Sequence, residues 1–149
     1  MEHLSYLSEN RKHRNRVYEI LGMVCRLLEV RANTHDITKT QEPELTGFSE
    51  SYEGLRGLTY GSSEYMERLL ELKPYLDIHY KNNLHHPEHY KNGIESMTLI
   101  DIVEMLADWL AATEKHEDGD INVSINHNQK RYKISDQLTQ IFRNTVKVL

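Results

Sequence analysis

Four of the nine histidines fall in one short segment, "DIHYKNNLHHPEHYKNG": His79, His85, His86 and His89. Imidazole is the commonest metal-binding side chain and the one whose charge changes near neutral pH. Upstream, "NTHDITK" sets His35 beside Asp36. A nitrogen donor next to a carboxylate is the mixture that suits Zn, Mn, Fe, Co or Ni. Downstream, "SMTLIDIVEMLADWLAAT" is apolar except for Asp101, Glu104 and Asp108. At 100° per residue, Asp101 and Asp108 lie about 20° apart and Glu104 within about 60° of both. Three acids therefore form one narrow stripe on a helix whose other faces are apolar and expected to be mostly buried. A buried carboxylate needs a partner or a cation. Each feature also has an ordinary reading when taken alone: a polar loop, a polar patch at a helix start, and a solvent-facing stripe.

These residues must be positioned by helices. Apolar residues at Val17, Ile20, Leu21, Val24, Leu27 and Leu28 predict a long helix over 8–31. Asn33 or Thr34 is the expected cap of a short helix carrying His35 and Asp36. "KTQEPELTGFSESYEGLRGLTYGSSEY" reads as loop with short helical turns, because it holds Pro43 and four glycines. A helix is predicted over 64–77, with Pro74 kinking it or starting the next piece. An irregular connection follows over 80–93, then the strongest helix over 96–113. "EKHEDGDINVSINHN" reads as loop, with "INVSI" the one strand candidate, and a last helix is expected over 135–148, capped by Ser135 or Asp136. The expected architecture is all-α: a compact helical bundle of about five main helices forming a single domain over 1–149.

Composition narrows the function. At 149 residues with 38% hydrophobic and 28% charged residues, the chain can bury a core without disulfides or a metal. A net charge of −5 argues against general nucleic-acid backbone binding, yet leaves room for a small phosphorylated substrate. The single cysteine, Cys25, cannot form an internal disulfide. The N-terminus "MEHLSYLSENRKHRNR" has no apolar run of the signal-peptide kind, and no stretch is long enough to span a membrane. A cytoplasmic protein, with a homodimer left open, is the simplest expectation.

The order His13, His35-Asp36, Asp108 on a helical chain resembles the HD-domain superfamily of metal-dependent phosphohydrolases. "HDITK" is close to the "HDIGK" form of several branches, with Lys39 in the lysine position and Thr38 where glycine stands. "EMLADWL" resembles the late segment that supplies the last aspartate. The resemblance implies His13, His35, Asp36 and Asp108 as a metal-binding set, with Asp101 competing with Asp108 for the last place. Some branches carry extra histidines between these motifs to hold a second metal, often an adjacent pair. "HYKNNLHHPEH" occupies that interval here and makes His79, His85, His86 and His89 candidates. The whole chain is also similar to a family of small bacterial and phage proteins of unknown function. Its pattern is H…HD-x-SK…HY-x-x-N-x-HHPEH…DLVEMLADW…N-x-Q-x-RY…NT.

What the superfamily resemblance implies is hydrolysis of a nucleotide or other small phosphate ester, assisted by one or two divalent transition-metal ions. Such an ion lowers the pKa of a coordinated water. Lys39 is then expected to neutralise charge on the phosphate, Glu88 to position or deprotonate, and Arg131 to contact phosphate through its planar guanidinium. His116 and His127 are read as surface residues. Two other classes stay open: an HD-like di-iron oxygenase, and a non-catalytic small-ligand or host-factor binding protein with a residual metal site.

Overall fold

The computed structural model describes residues 2–55, 63–115 and 119–149. The chain divides into two units, Met1–Thr34 and His35–Leu149. The first is one helix, α1 (Glu2–Thr34), longer at both ends than its apolar rhythm predicts. Its extension has a local cause. Asn33 and Thr34 do not cap a following helix; their side chains donate back to the carbonyls of Glu29 and Val30, at 2.8 and 2.9 Å, and prolong the last turn.

The second unit holds α2 (Glu44–Leu55), α3 (Ser63–Asn82), α4 (Leu99–Thr113), α5 (Ile121–Tyr132) and α6 (Asp136–Thr145). Short 3₁₀ turns lie at Ile37–Thr40, Pro87–His89 and Gly93–Ser96. The all-α expectation holds, with six helices rather than about five and no strand among the described residues. Three local expectations are corrected. The Pro43 segment is not a long loop but contains α2, although its 56–62 portion lies outside the described residues. Helix α3 runs through Pro74 to Asn82, which places His79 in its last turn rather than before a loop. "INVSI" is helical: Asp120 caps α5 by accepting from the Asn122 amide at 2.7 Å, and Ile125 and Asn128 point inward from one side. His116 lies outside the described residues, whereas His127 is exposed.

Two packing arrangements build this unit. Helix α2 lies along α3, while α5 packs against both α4 and α6. The fully buried apolar side chains among the described residues are Met105, Leu106, Ile125, Ile134 and Phe142, with Ile102, Trp109 and Leu138 packed around them. Trp109 stacks on Tyr132 with ring centres 6.4 Å apart and meets Phe142 edge-on at 5.8 Å. The core therefore sits on one side of α4. Leu99 and Val103 on its other side are exposed, so α4 is half-wrapped rather than mostly buried.

At the α2–α3 contact, Gly47 is buried directly against the ring of Tyr75; a Cβ there would overlap the ring itself. Gly54 on the same helix has ordinary space, its nearest neighbour being the Arg68 side chain at 3.5 Å. Gly47→Ala is expected to destabilise the protein by about 1–3 kcal/mol through overpacking. Gly54→Ala is expected to be neutral or stabilising by about 0.4–1 kcal/mol. Thermal melts of the two variants check the contrast, and equal midpoints would refute the close approach.

Candidate metal centre

The site grows from the turn after α1. Asp36 has left-handed backbone angles (φ 53°, ψ 15°), a conformation that aspartate tolerates better than most residues. The 3₁₀ turn begins at once, with the Lys39 amide donating to the Asp36 carbonyl at 2.9 Å. The last turn of α3 brings His79, fully buried. Asn83 closes that turn by donating to the His79 carbonyl at 2.8 Å and to Thr38 Oγ1 at 2.9 Å. The next residues supply His85, fully buried, and His86, half-buried. Helix α4 contributes Glu104 and Asp108, one turn apart on the same face.

Two groups of donor atoms result. Asp36, His79, His85 and His86 offer atoms that all lie within 4.8 Å of one another, and so do His35, His85 and Asp108. The Asp36 carboxylate faces both. Its Oδ1 is 3.3 Å from His79 Nε2 and 3.5 Å from His85 Nε2, while its Oδ2 is 3.6 Å from His35 Nε2. His35 Nε2 is 3.5 Å from Asp108 Oδ1, and the Nε2 atoms of His79 and His86 are 3.0 Å apart. Ligand atoms around an ion held at about 2.1 Å sit roughly 3.0–3.4 Å apart in octahedral or tetrahedral geometry. Apart from the His79–His86 pair, which lies at hydrogen-bond distance, these separations are long for hydrogen bonds, and all are close to the edges of a coordination shell.

The outward nitrogens are held as well. His35 Nδ1 donates to Glu104 Oε1 at 3.0 Å, His85 Nδ1 lies 3.1 Å from the same oxygen, and His79 Nδ1 donates to Glu44 Oε2 at 2.8 Å. Because a carboxylate oxygen accepts, the proton belongs on Nδ1 and the Nε2 lone pair faces inward, the arrangement of a metal-ligating histidine. The residues fit a divalent cation on a further observation: Asp36 Oδ1 and His85 Nε2 are buried without a hydrogen-bond partner. Buried polar atoms of this kind are rare unless something else satisfies them. Carboxylates outnumber cations here, with Asp36, Glu44, Glu104 and Asp108 against Lys39, which donates to Asp36 Oδ2 at 2.6 Å.

The electrostatics agree. Burial pushes the Asp36 carboxyl up, but nearby His79 and the Lys39 ammonium outweigh it and hold the group well below the usual carboxylate range. Burial, reinforced by the neighbouring His85 and His79, pulls His86 down to about 3, so its imidazole is neutral and able to ligate at pH 7.

Sequence candidates separate clearly. His35, Asp36, Asp108, His79, His85 and His86 come together. His13 is exposed on α1, in the first unit, and His89, whose ring lies against Tyr90, belongs to neither group. Asp101 and Asp108 stand in different surroundings: Asp108 lies in a donor group, and Asp101 caps α4. Asp101 Oδ2 accepts from the Thr98 amide at 2.8 Å, the Thr98 hydroxyl at 2.7 Å and the Tyr90 hydroxyl at 2.9 Å, closing the start of α4. Lys39 stands at the cluster, its ammonium also 5.0 Å from the centre of the Phe48 ring. Glu88 and Arg131 pair with each other at 2.8 Å, and Glu88 also accepts from Tyr132 at 2.9 Å. That pair ties the 3₁₀ turn to α5. It stands next to the site through Tyr80, a further partner of the guanidinium, whose ring is 4.8 Å from that of His86.

Sequence reasoning missed the roles of Glu44 and Glu104. Glu104 was visible in the acidic stripe, one turn before Asp108. Glu44, at the start of an unforeseen helix, carried no signal.

Asp108→Ala is expected to weaken binding of a divalent transition metal while leaving the melting temperature of the metal-free protein nearly unchanged. Asp101→Ala should do the reverse, costing about 1–2 kcal/mol of stability through the lost cap. Metal titration and thermal melts on both variants check this double dissociation; equal effects on metal binding would refute the assignment.

No curated protein and no solved structure matches the chain. A family model, "Family of unknown function (DUF5662)", matches residues 2–148. With nearly its whole length matched, and with this histidine–carboxylate centre in its second unit, the chain belongs to that family of unknown function.

Proposed function

We propose that the protein is a metal-dependent phosphohydrolase acting on a nucleotide or other small phosphate ester. The observation that carries this reading is Asp36. One carboxylate presents its two oxygens to two sets of inward-facing imidazoles, and its buried Oδ1 has no hydrogen-bond partner. The likeness of "HDITK" and "EMLADWL" to the motifs of HD-domain phosphohydrolases supports it.

His79, His85 and His86 with Asp36 Oδ1 would hold one divalent transition-metal ion, and His35 and Asp108 with Asp36 Oδ2 a second. Bound there, the ions supply Lewis acidity toward a phosphoryl oxygen and an ionised water near neutral pH. The chain does the rest. Glu44 and Glu104 fix the imidazoles, so no reorganisation is needed when charge develops. Lys39, more than a third exposed, has a flexible stem that lets its ammonium leave Asp36 for an arriving phosphate oxygen. The half-exposed guanidinium of Arg131, one ring away from His86, is placed to meet a more distal anionic group of the substrate.

Elemental analysis of untreated protein, paired with a hydrolysis screen over nucleotides and simple phosphate esters, tests the reading. Metal at one or two ions per chain, with hydrolysis lowered by about 100-fold or more in His35→Ala, is the expected result. Protein without metal and without hydrolysis across the panel would overturn it. Iron accompanied by oxygen consumption would move the protein to the oxygenase class.

A further inference from the structure

Glu104 reaches both donor groups. A single oxygen, Oε1, accepts from His35 Nδ1 at 3.0 Å and lies 3.1 Å from His85 Nδ1. The side chain is nine-tenths buried, and the two rings it holds are 4.5 Å apart between centres. His35 belongs to the group with Asp108; His85 has Nε2 directed at Asp36 Oδ1, beside His79. Glu44, also buried, holds His79 and accepts from Thr38 as well at 2.8 Å.

We infer that Glu104 is a shared positioning residue that fixes the protonation pattern and orientation of His35 and His85 together, His85 being common to both donor groups, whereas Glu44 fixes His79 alone. The reason is geometric. An imidazole binds an ion through a nitrogen that carries no proton, and a neutral ring has one such nitrogen. Anchoring the Nδ1 proton on a buried carboxylate selects which nitrogen that is, and the anionic acceptor makes the ring a stronger donor. Because one oxygen serves two rings, neither ring turns without disturbing the other. Glu104 lies one turn before Asp108 on α4, so the same helix that brings a candidate ligand also sets two more. The two ion positions are thus linked through a residue that binds neither. This inference rests on the metal-centre reading for its consequence, but its central claim concerns the metal-free rings.

The test uses the full chain. Nitrogen-15 spectra of the histidine rings in metal-free protein report which nitrogen carries the proton. The wild type is expected to show Nδ1 protonation at His35 and His85. Glu104→Ala should convert both rings to mixed tautomers and leave His79 unchanged, and Glu104→Gln, which keeps an accepting oxygen, should restore them. Glu44→Ala should leave His35 and His85 as they are. In cobalt(II) titrations, Glu104→Ala should weaken both bound ions by about 10- to 100-fold, and Glu44→Ala only one of them. Unchanged His35 and His85 rings in Glu104→Ala, or His79 disturbed equally, would overturn the assignment. Should Glu104→Ala fail to fold, Glu104→Gln decides it: retained tautomers with cobalt affinity down about tenfold support it, and wild-type affinity refutes it. A wild-type protein that shows the expected tautomers but binds no cobalt would refute the metal reading and leave the positioning role standing.

Discussion

The second unit depends on the difficulty of burying charge. Glu44, His79, His85 and Asp101 are all at least 98% buried, in a unit whose fully buried apolar residues, among those described, come from α4 to α6 and the turn before α6. Apolar packing accounts for α4 with α5 and α6, and the Gly47–Tyr75 contact for α2 with α3. Polar contacts join these two packed parts: His35 and His85 meet Glu104, and His35 lies beside Asp108. Polar groups removed from water stabilise only when fully satisfied. A cation held between Asp36 and the imidazoles would satisfy these donors at once, whereas an apolar group would satisfy none.

A centre built this way ties binding to folding. Donor atoms contributed by the turn at 35–36, the end of α3, the following loop and α4 are far apart in sequence, so an unfolded chain offers no comparable site. An ion held there would add directly to the stability of the folded form. The cost would fall on the metal-free protein, in which four carboxylates face one lysine and a group of imidazoles. The low-lying Asp36 carboxyl reflects the imidazoles and the Lys39 ammonium beside it, and the depressed His86 imidazole its burial next to His85 and His79.

Much of this was legible in the sequence, and the limits have physical causes. The helical class, the acid stripe and most of the ligand candidates follow from residue type and a 3.6-residue period. Ser135 marks the last helix correctly because a cap is local chemistry. The strand expected at "INVSI" failed because β-branched residues favour a strand only until a cap and a core-facing side favour a helix more. Helix α2 was hidden by the proline and glycines around it, one of which, Gly47, is needed for contact rather than for a turn. Asp101 and Asp108 could not be told apart by angle, because they share a face; Thr98, three residues before Asp101, was a local sign of a cap, while the surroundings of Asp108 are tertiary information. Glu44 was invisible for the same reason: nothing in the residues around it says that a histidine 35 positions later will be buried against it.

The left-handed backbone at Asp36 sets backbone strain against side-chain contacts at a single codon. Holding a non-glycine residue in that conformation costs on the order of 1 kcal/mol, which glycine would not incur. Glycine would also forfeit the carboxylate's favourable contacts with Lys39 and His79, which hold it well below the usual carboxylate range. The two effects of Asp36→Gly oppose each other in the folded chain, and an aspartate kept in this conformation through natural variation is what use of its side chain would leave behind.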